Sequence, residues 1–548
     1  MQVKLFFRFL FITFLTIAFL VLLGTWLKGY MGSMDTIVSL VGTKKTSQEL
    51  SAIISQDRFR YIQILLAAFM AAVFLLLWKF NEIYTTVAAY ISSLYQFLKS
   101  AVIASFRSEH KFLLMVPVIG SFYYAIVMPI CYDEGLTYLY FTSRSMLASM
   151  SYYPEPNNHI LNSLLTNITY HLPFGDSEFR LRLPSLLVSL LTWIIAYKLL
   201  ITYFNKQVAL IVTGIGSMIF LVFYYSYQSR GYALVNLFFI SAFYNALGII
   251  YKKDSLNNWV WFGVCSILGF YTMPSFLYPF LTLNLLILIY NRPNIRRQFV
   301  TNAIVTMITV ILYLPIVVVN GLNALTNNTY VKSIDRGEVI RKLPEFFSTS
   351  LNELTQFPWY FTVLALLPSL IYTLVKRQGF NISLFLLFLL SPWVLLAAHS
   401  VIPFPRTFNY YGFILPLLAV IGFTAPLEKI SARWLLVGLL IAQLGLLYQF
   451  SRRIIPYEER DPQLNWSSKS YNNMMVGNKR YFSSGNLLGT TLLYELKTQG
   501  FDKAEVIFYN APVNADTLQN FDYIIIGKQN DFTKNKKARI TTQYYHIY

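Results

Sequence analysis

A chain of 548 residues with 56% hydrophobic residues, 13% charged residues and a net charge of +19 lies outside the balance of soluble globular domains. A mean hydropathy of +0.50 over that length needs many membrane segments, which excludes a soluble enzyme and a single-anchor protein. The basic excess fits Lys and Arg holding short loops on the cytoplasmic side, and no basic run is interleaved with aromatics as nucleic-acid binding would want.

In chain order, Lys4 and Arg8 precede an apolar stretch reaching Tyr30. It reads as a first spanning helix with its N-terminus inside, since the run is long for a signal peptide and no small-residue cleavage site follows. A polar loop to about Arg60 leads to a second span at 61–78. Residues 80–110 are expected as a cytoplasmic linker, with an amphipathic piece at 85–98 lying along the membrane surface. Further spans are expected at 111–131, 184–204, 208–225, 232–251, 258–271, 274–290, 300–319, 357–375, 381–399, 408–424 and 432–450. The total is about thirteen, that at 258–271 being short.

Alternate threading from an inside N-terminus makes four short loops cytoplasmic: Asn205–Lys206, Lys252–Lys253–Asp254, 292–297 and Lys376–Arg377. Each carries the expected Lys or Arg excess. The same threading leaves 132–183, 320–356 and 451–548 outside. In the last of these, 503–509 and 521–527 read as buried strands and 486–499 as a helix, a small α/β domain. The expected organisation is therefore a two-helix extension and linker over 1–110, a membrane domain over 111–450 with its external loop 132–183, and an extracytoplasmic domain over 451–548. No internal repeat of the kind found in many transporters appears.

The chemistry concentrates in the first external loop. An apolar helix ends at Met128–Pro129–Ile130–Cys131, and Asp133–Glu134 follow at once. Adjacent carboxylates at a membrane exit are costly unless solvated, paired or used. Downstream come Asn157–Asn158–His159, a helical stretch, and Phe174–Gly175–Asp176–Ser177–Glu178 leading through Arg182–Leu183–Pro184–Ser185 into the next span. Cys131 and Cys265 form no metal or disulfide pattern, and the five histidines are scattered without ligand spacing.

An apolar helix ending in Asp-Glu, a long loop with a helical stretch, and an F-G-x-x-E-x-x-x-R-L-P-S entry together resemble the GT-C glycosyltransferases. The nearest branch holds the protein O-mannosyltransferases and the aminoarabinose transferases of lipid A (glycosyltransferase family 39 and relatives). Tyr225–Ser226–Tyr227–Gln228–Ser229–Arg230–Gly231–Tyr232–Ala233–Leu234 is similar to that family's S-x-x-x-R-x-Y-A-L segment, and Pro405–Arg406–Thr407–Phe408 with Leu415–Pro416 to its late P-R-Y…P segment. The resemblance spans roughly 111–450. It implies an all-α polytopic GT-C fold in a bacterial inner membrane and a polyprenyl-phosphate-linked sugar as donor. The acceptor would be a lipid, glycan or protein hydroxyl or phosphate at the extracytoplasmic face.

By match to the family, Asp133 is the base of an inverting displacement and Glu134 its supporting partner. Arg406 and Arg230 would face the donor phosphate, while Arg182 would hold the loop to its helix. His159, with Asn158 beside it, stands where aminoarabinose transferases carry a Lys-Pro-Pro segment whose lysine meets the phosphate. Tyr232 completes the expected substrate contacts. The segment around Gln228 lacks the acidic residue that some relatives carry there, so a second carboxylate, if the reaction needs one, would come from Glu155 or Asp176. No cofactor or bound metal is expected, and a divalent ion shared with the phosphate stays open. Two competing readings are a transporter or flippase of a lipid-linked substrate, which should place polar residues at mid-membrane, and a non-catalytic scaffold working through its C-terminal domain.

Overall fold

The computed structural model describes residues 2–41, 46–154, 157–252, 255–326, 334–458, 477–483, 485–508, 520–527, 540–541 and 545–548. The N-terminal extension consists of α1 (Gln2–Val41), α2 (Ser47–Ile53) and α3 (Gln56–Trp78), with α1 kinked at Gly29, whose φ of 65° a side chain would resist. Thr46 and Glu49 close a capping box at the start of α2. Then come α4 (Phe80–Phe106) and α5 (His110–Val127). The loop after α5 holds α6 (Tyr132–Thr137), a π turn at Tyr138–Thr142, α7 (Met146–Ser151) and α8 (Ile160–Tyr170).

The membrane core continues with α9 (Ser177–Tyr203), α10 (Lys206–Gly216), α11 (Phe220–Tyr227), α12 (Tyr232–Lys252), α13 (Leu256–Thr272), α14 (Leu277–Tyr290) and α15 (Ile295–Asn320). After the short α16 (Asn323–Thr326) come α17 (Arg336–Thr355), α18 (Trp359–Val375), α19 (Gly379–His399), α20 (Tyr411–Ile421), α21 (Thr424–Glu428) and α22 (Ala432–Glu458). Among the described residues eight helices are long and apolar enough to cross a membrane, or ten if two bent pairs count as single spans. Each of the thirteen expected segments coincides with a helix or a bent pair; several, α14 and α20 among them, are too short to span alone. The segment at 258–271 is a 17-residue helix, α13, packed against α12 and α15.

Three features differ from the expectation. The stretch at 80–110 is mostly one 27-residue helix, α4, long and apolar enough to span. Among its contacts, Ser93 accepts from Trp261 Nε1 at 3.3 Å and bonds Asn257, and Phe97 packs on Tyr244 at 4.7 Å. The segment at 208–225 is bent by 70° between α10 and α11. The break adjoins a crossing where a Cβ on Gly216 would stand 2.8 Å from the Gly412 carbonyl and 2.9 Å from Trp193, so the chain turns where backbones touch. The segment before Trp359, expected outside the membrane, carries a further helix, α17, which buries Val339, Phe346, Ser350 and Leu354 along one face and meets α18 at 91°.

The helix directions sort the connections onto two ends. One end gathers Lys206, Lys252, Arg292, Arg296, Arg297, Lys376 and Arg377. The other gathers α6–α8, the turn at 228–231 and the Pro405–Phe408 turn. The C-terminal domain is a five-stranded sheet in the order β2-β1-β3-β5-β4, from β1 (Arg480–Ser483), β2 (Glu505–Phe508), β3 (Tyr523–Gly527), β4 (Ile540–Thr541) and β5 (Tyr545–Ile547). β1 pairs in parallel with β2 and β3, and α23 (Asn486–Thr498) makes the crossover between β1 and β2.

Candidate active site

α5 stops at Val127 because Pro129 disfavours helical backbone at Met128. A helix end leaves its last carbonyls without partners, and here a guanidinium takes them. Arg182, fully buried near the start of α9, donates from Nη1 to Ala125 O (3.1 Å) and Met128 O (2.6 Å), and from Nη2 to Pro129 O (2.8 Å). Its remaining donors meet Glu134, Nε to Oε1 at 3.0 Å and Nη2 to Oε2 at 2.6 Å. All five N–H donors of the arginine are spent. Glu134, also fully buried, accepts from Ser229 N at 2.7 Å and Cys131 N at 3.3 Å. With its amide turned to donate, Gln228 reaches the same carboxylate at 2.9 Å. The pair expected to support and to brace is thus one buried knot joining α5, α6, α9 and the turn before α12.

Asp133 points elsewhere. Its Oδ2 lies 3.6 Å from Arg230 Nη2 and 3.5 Å from Arg406 Nη2, ion-pair distances too long for good hydrogen bonds, with about a quarter of the side chain accessible. Burial raises the carboxyl's pKa, but the charges of Arg230 and Arg406 outweigh it and hold the group below its ordinary value. Arg230 Nη1 donates to Asn157 O (3.2 Å), Asn157 Oδ1, Thr137 Oγ1 (3.3 Å) and Asp133 O (3.4 Å). Its Nε is buried without a hydrogen-bond partner among the described residues.

His159 is buried beside Arg230. Its Nδ1 accepts from Gly231 N at 2.8 Å, so the neutral ring carries its proton on Nε2, 3.5 Å from Arg230 Nη2. Burial first, then the charges of Arg230 and Arg406, hold its pKa well below the usual imidazole value. Gly231 is required here: a Cβ would stand 2.8 Å from both His159 Cβ and Thr272 Cγ2. Tyr232 packs edge-on against His159 at 5.2 Å and on Tyr225 at 4.1 Å. Arg406 sits on the Phe404 ring at 4.5 Å. Beside it opens a cleft of about 530 Å³ lined by Lys342, Glu345, Phe346, Thr349, Phe404 and Pro405.

The structure therefore gathers Asp133, Arg230, Arg406, His159 and Tyr232 at one end of the helix bundle. Asn158 is buried and spends its amide inside the loop, donating to Ser149 O (2.9 Å) and Tyr152 O (3.0 Å) and accepting from Ser163. Its neighbour Asn157 makes the contact, donating to Asp133 O at 3.2 Å. Asp176 caps α9 through Phe179 N at 2.8 Å. Glu155 lies outside the described residues. Among the described residues no three His, Cys, Asp or Glu side chains gather as metal ligands.

Residues 160–320 match the family described as dolichyl-phosphate-mannose-protein mannosyltransferase. ArnT from Cupriavidus metallidurans in the apo state superposes with a TM-score of 0.54 at 11% identity, over 80% of this chain and 96% of that one. This is a GT-C fold. The same protein bound to undecaprenyl phosphate gives a TM-score of 0.51 at 12% identity, covering 80% of this chain and 97% of that one. No curated protein matches the chain. Within the GT-C fold, the site described above occupies the end of the bundle away from the basic loops.

Proposed function

We propose that the chain is a membrane glycosyltransferase that moves a sugar from a polyprenyl-phosphate carrier to an acceptor hydroxyl or phosphate. The observation that carries this reading is the Asp133 carboxylate lying between Arg230 and Arg406, with the His159 ring alongside, at one end of a GT-C helix bundle. The undecaprenyl phosphate bound by ArnT supports a lipid phosphate as the donor's carrier. By the positive-inside rule the loops carrying Lys206, Lys252, Arg292 and Lys376 face the cytoplasm, which puts the site at the extracytoplasmic face of a cell membrane. Residues 1–110 act as an added membrane unit and 111–450 as the catalytic domain.

The acceptor oxygen attacks the anomeric carbon from the side opposite the phosphate while Asp133 takes the acceptor's proton. The bond from that carbon to the phosphate oxygen breaks, and its electron pair leaves with the polyprenyl phosphate, so the configuration at the sugar inverts. Charge grows on the departing phosphate, where Arg230, Arg406 and the Nε2–H of His159 stabilise it. Asp133 is a weak base while both arginines hold its charge. A donor phosphate that draws those guanidiniums to itself raises the carboxylate's basicity, so the base strengthens when the donor is in place.

The test is turnover by the purified protein in nanodiscs supplied with a panel of radiolabelled polyprenyl-phosphate sugars. Release of polyprenyl phosphate from one donor is expected. Failure to bind undecaprenyl phosphate, together with no turnover of any donor, would overturn the proposal.

A further inference from the structure

The base sits on α6, a helix of six residues. So short a helix has almost no stability of its own, and its facing must be set by what packs around it. Successive helical residues turn by about 100°, so Asp133, Glu134 and Gly135 look in three directions. Asp133 faces Arg230 and Arg406, and Glu134 is gripped by Arg182. Gly135, on the side opposite Asp133, backs onto the C-terminal domain: a Cβ there would lie 3.6 Å from Thr490 Cγ2 and 3.8 Å from Tyr494 Cβ.

α23 has two buried faces. Leu492 and Leu496, one turn apart, pack with Tyr481, Ala504 and Ile525 of the sheet side. Tyr494, fully buried, joins Ile130, Tyr138 and Leu181 of the membrane domain, meeting Tyr138 edge-on at 5.0 Å. Its hydroxyl donates to Glu178 Oε1 at 3.3 Å. The C-terminal domain therefore shares one apolar cluster with the residues that flank α6, Ile130 before it and Tyr138 at the start of the π turn after it, and touches Tyr138 directly.

We propose that α23 is a positioning element of the transfer site, Tyr494 and Thr490 fixing the facing of α6 and so the aim of Asp133. The inference rests on the transferase reading above. Tyr494 touches no reacting atom and acts through α6. Loss of its ring misaims the base and leaves the donor's phosphate contacts in place, so it lowers kcat rather than raising the donor KM.

The experiment uses the full chain in nanodiscs with the donor that wild type turns over, comparing Tyr494→Ala, Tyr494→Leu and Tyr494→Phe. Expected are a 10- to 100-fold fall in kcat for Tyr494→Ala with donor KM within about twofold, a smaller fall for Tyr494→Leu, and near-wild-type turnover for Tyr494→Phe. Hydrogen–deuterium exchange of peptides covering residues 132–142 should speed up in Tyr494→Ala and not in Tyr494→Phe. That readout needs no turnover, so a wild type inactive on every donor would undo the transferase reading while leaving the packing testable. Unchanged kcat in Tyr494→Ala, a loss confined to KM, or unchanged exchange over 132–142 would overturn the positioning role. Should Tyr494→Ala fail to fold, Tyr494→Leu decides on the same criteria.

Discussion

Arg182→Met isolates the knot beneath the site. It deletes five hydrogen bonds at once: two to Glu134 and three to the carbonyls of Ala125, Met128 and Pro129. Methionine fills much of the volume, so the cost is electrostatic rather than a cavity. What remains is a fully buried Glu134 carboxylate held, among the described residues, by Ser229 N, Cys131 N and the Gln228 amide. Removing one partner of a buried pair costs about 3–5 kcal/mol. In a chain of this size that corresponds to a fall of roughly 3–4 °C in apparent Tm. The assay is thermal unfolding in detergent followed by tryptophan fluorescence. Arg182→Lys keeps the charge but not the five-donor fork, and should recover less than half of the loss. The double variant Arg182→Met/Glu134→Leu has no orphaned charge and should be less destabilised than the sum of its singles by about 2 kcal/mol or more. A shift under about 2 °C for Arg182→Met, or additive singles, would refute the reasoning.

Gly231→Ala drives a methyl to 2.8 Å from His159 Cβ and Thr272 Cγ2; it should cost about 1–3 kcal/mol and weaken donor turnover by displacing His159. A Tm and kcat equal to wild type would show that the turn gives way freely. Arg230→Ala should weaken undecaprenyl phosphate binding at least tenfold and flatten its salt dependence, checked by binding isotherms at two ionic strengths; unchanged affinity would remove Arg230 from the phosphate site. Glu495, pushed up to about 7 by burial and then by the Glu178 charge, should make the domain contact pH-sensitive. Its folded value lies above the ordinary 4.5, so stability is full below about 4.5 and is lost as pH rises to about 7. The shift is worth at most about 3 kcal/mol, and partial exposure brings it nearer 1 kcal/mol. Glu495→Gln should flatten the pH–Tm curve and raise Tm at pH 8, whereas a curve parallel to wild type would contradict the assignment.

The helices were legible because lipid-facing and core-facing side chains are both apolar, so hydropathy alone marks each segment. The site was legible where residues cluster in sequence: Asp133 beside Glu134, Arg230 before Tyr232, Arg406 after Pro405. What hydropathy does not carry is the bend between α10 and α11, which lies beside the close approach of Gly216 to Gly412, nearly 200 residues away in the chain. The capping of α5 by Arg182 is equally hidden, since its partners lie 48 to 57 positions back. Which of Asn157 and Asn158 turns toward Asp133 is decided by the path of the loop backbone, which residue type does not carry. The docking of α23 on α6 was invisible because Thr490 and Tyr494 read as an ordinary helix face until their partners are known.

The central claim is that Asp133 is the base of a polyprenyl-phosphate sugar transfer, and Asp133→Asn tests it most directly. Single-turnover transfer and undecaprenyl phosphate binding would be measured on the same preparation. Turnover should fall by about 10²–10⁴-fold. Phosphate binding should hold or tighten, because the lost carboxylate no longer competes for Arg230 and Arg406. Wild-type turnover by Asp133→Asn, with the donor bound as before, would contradict the assignment.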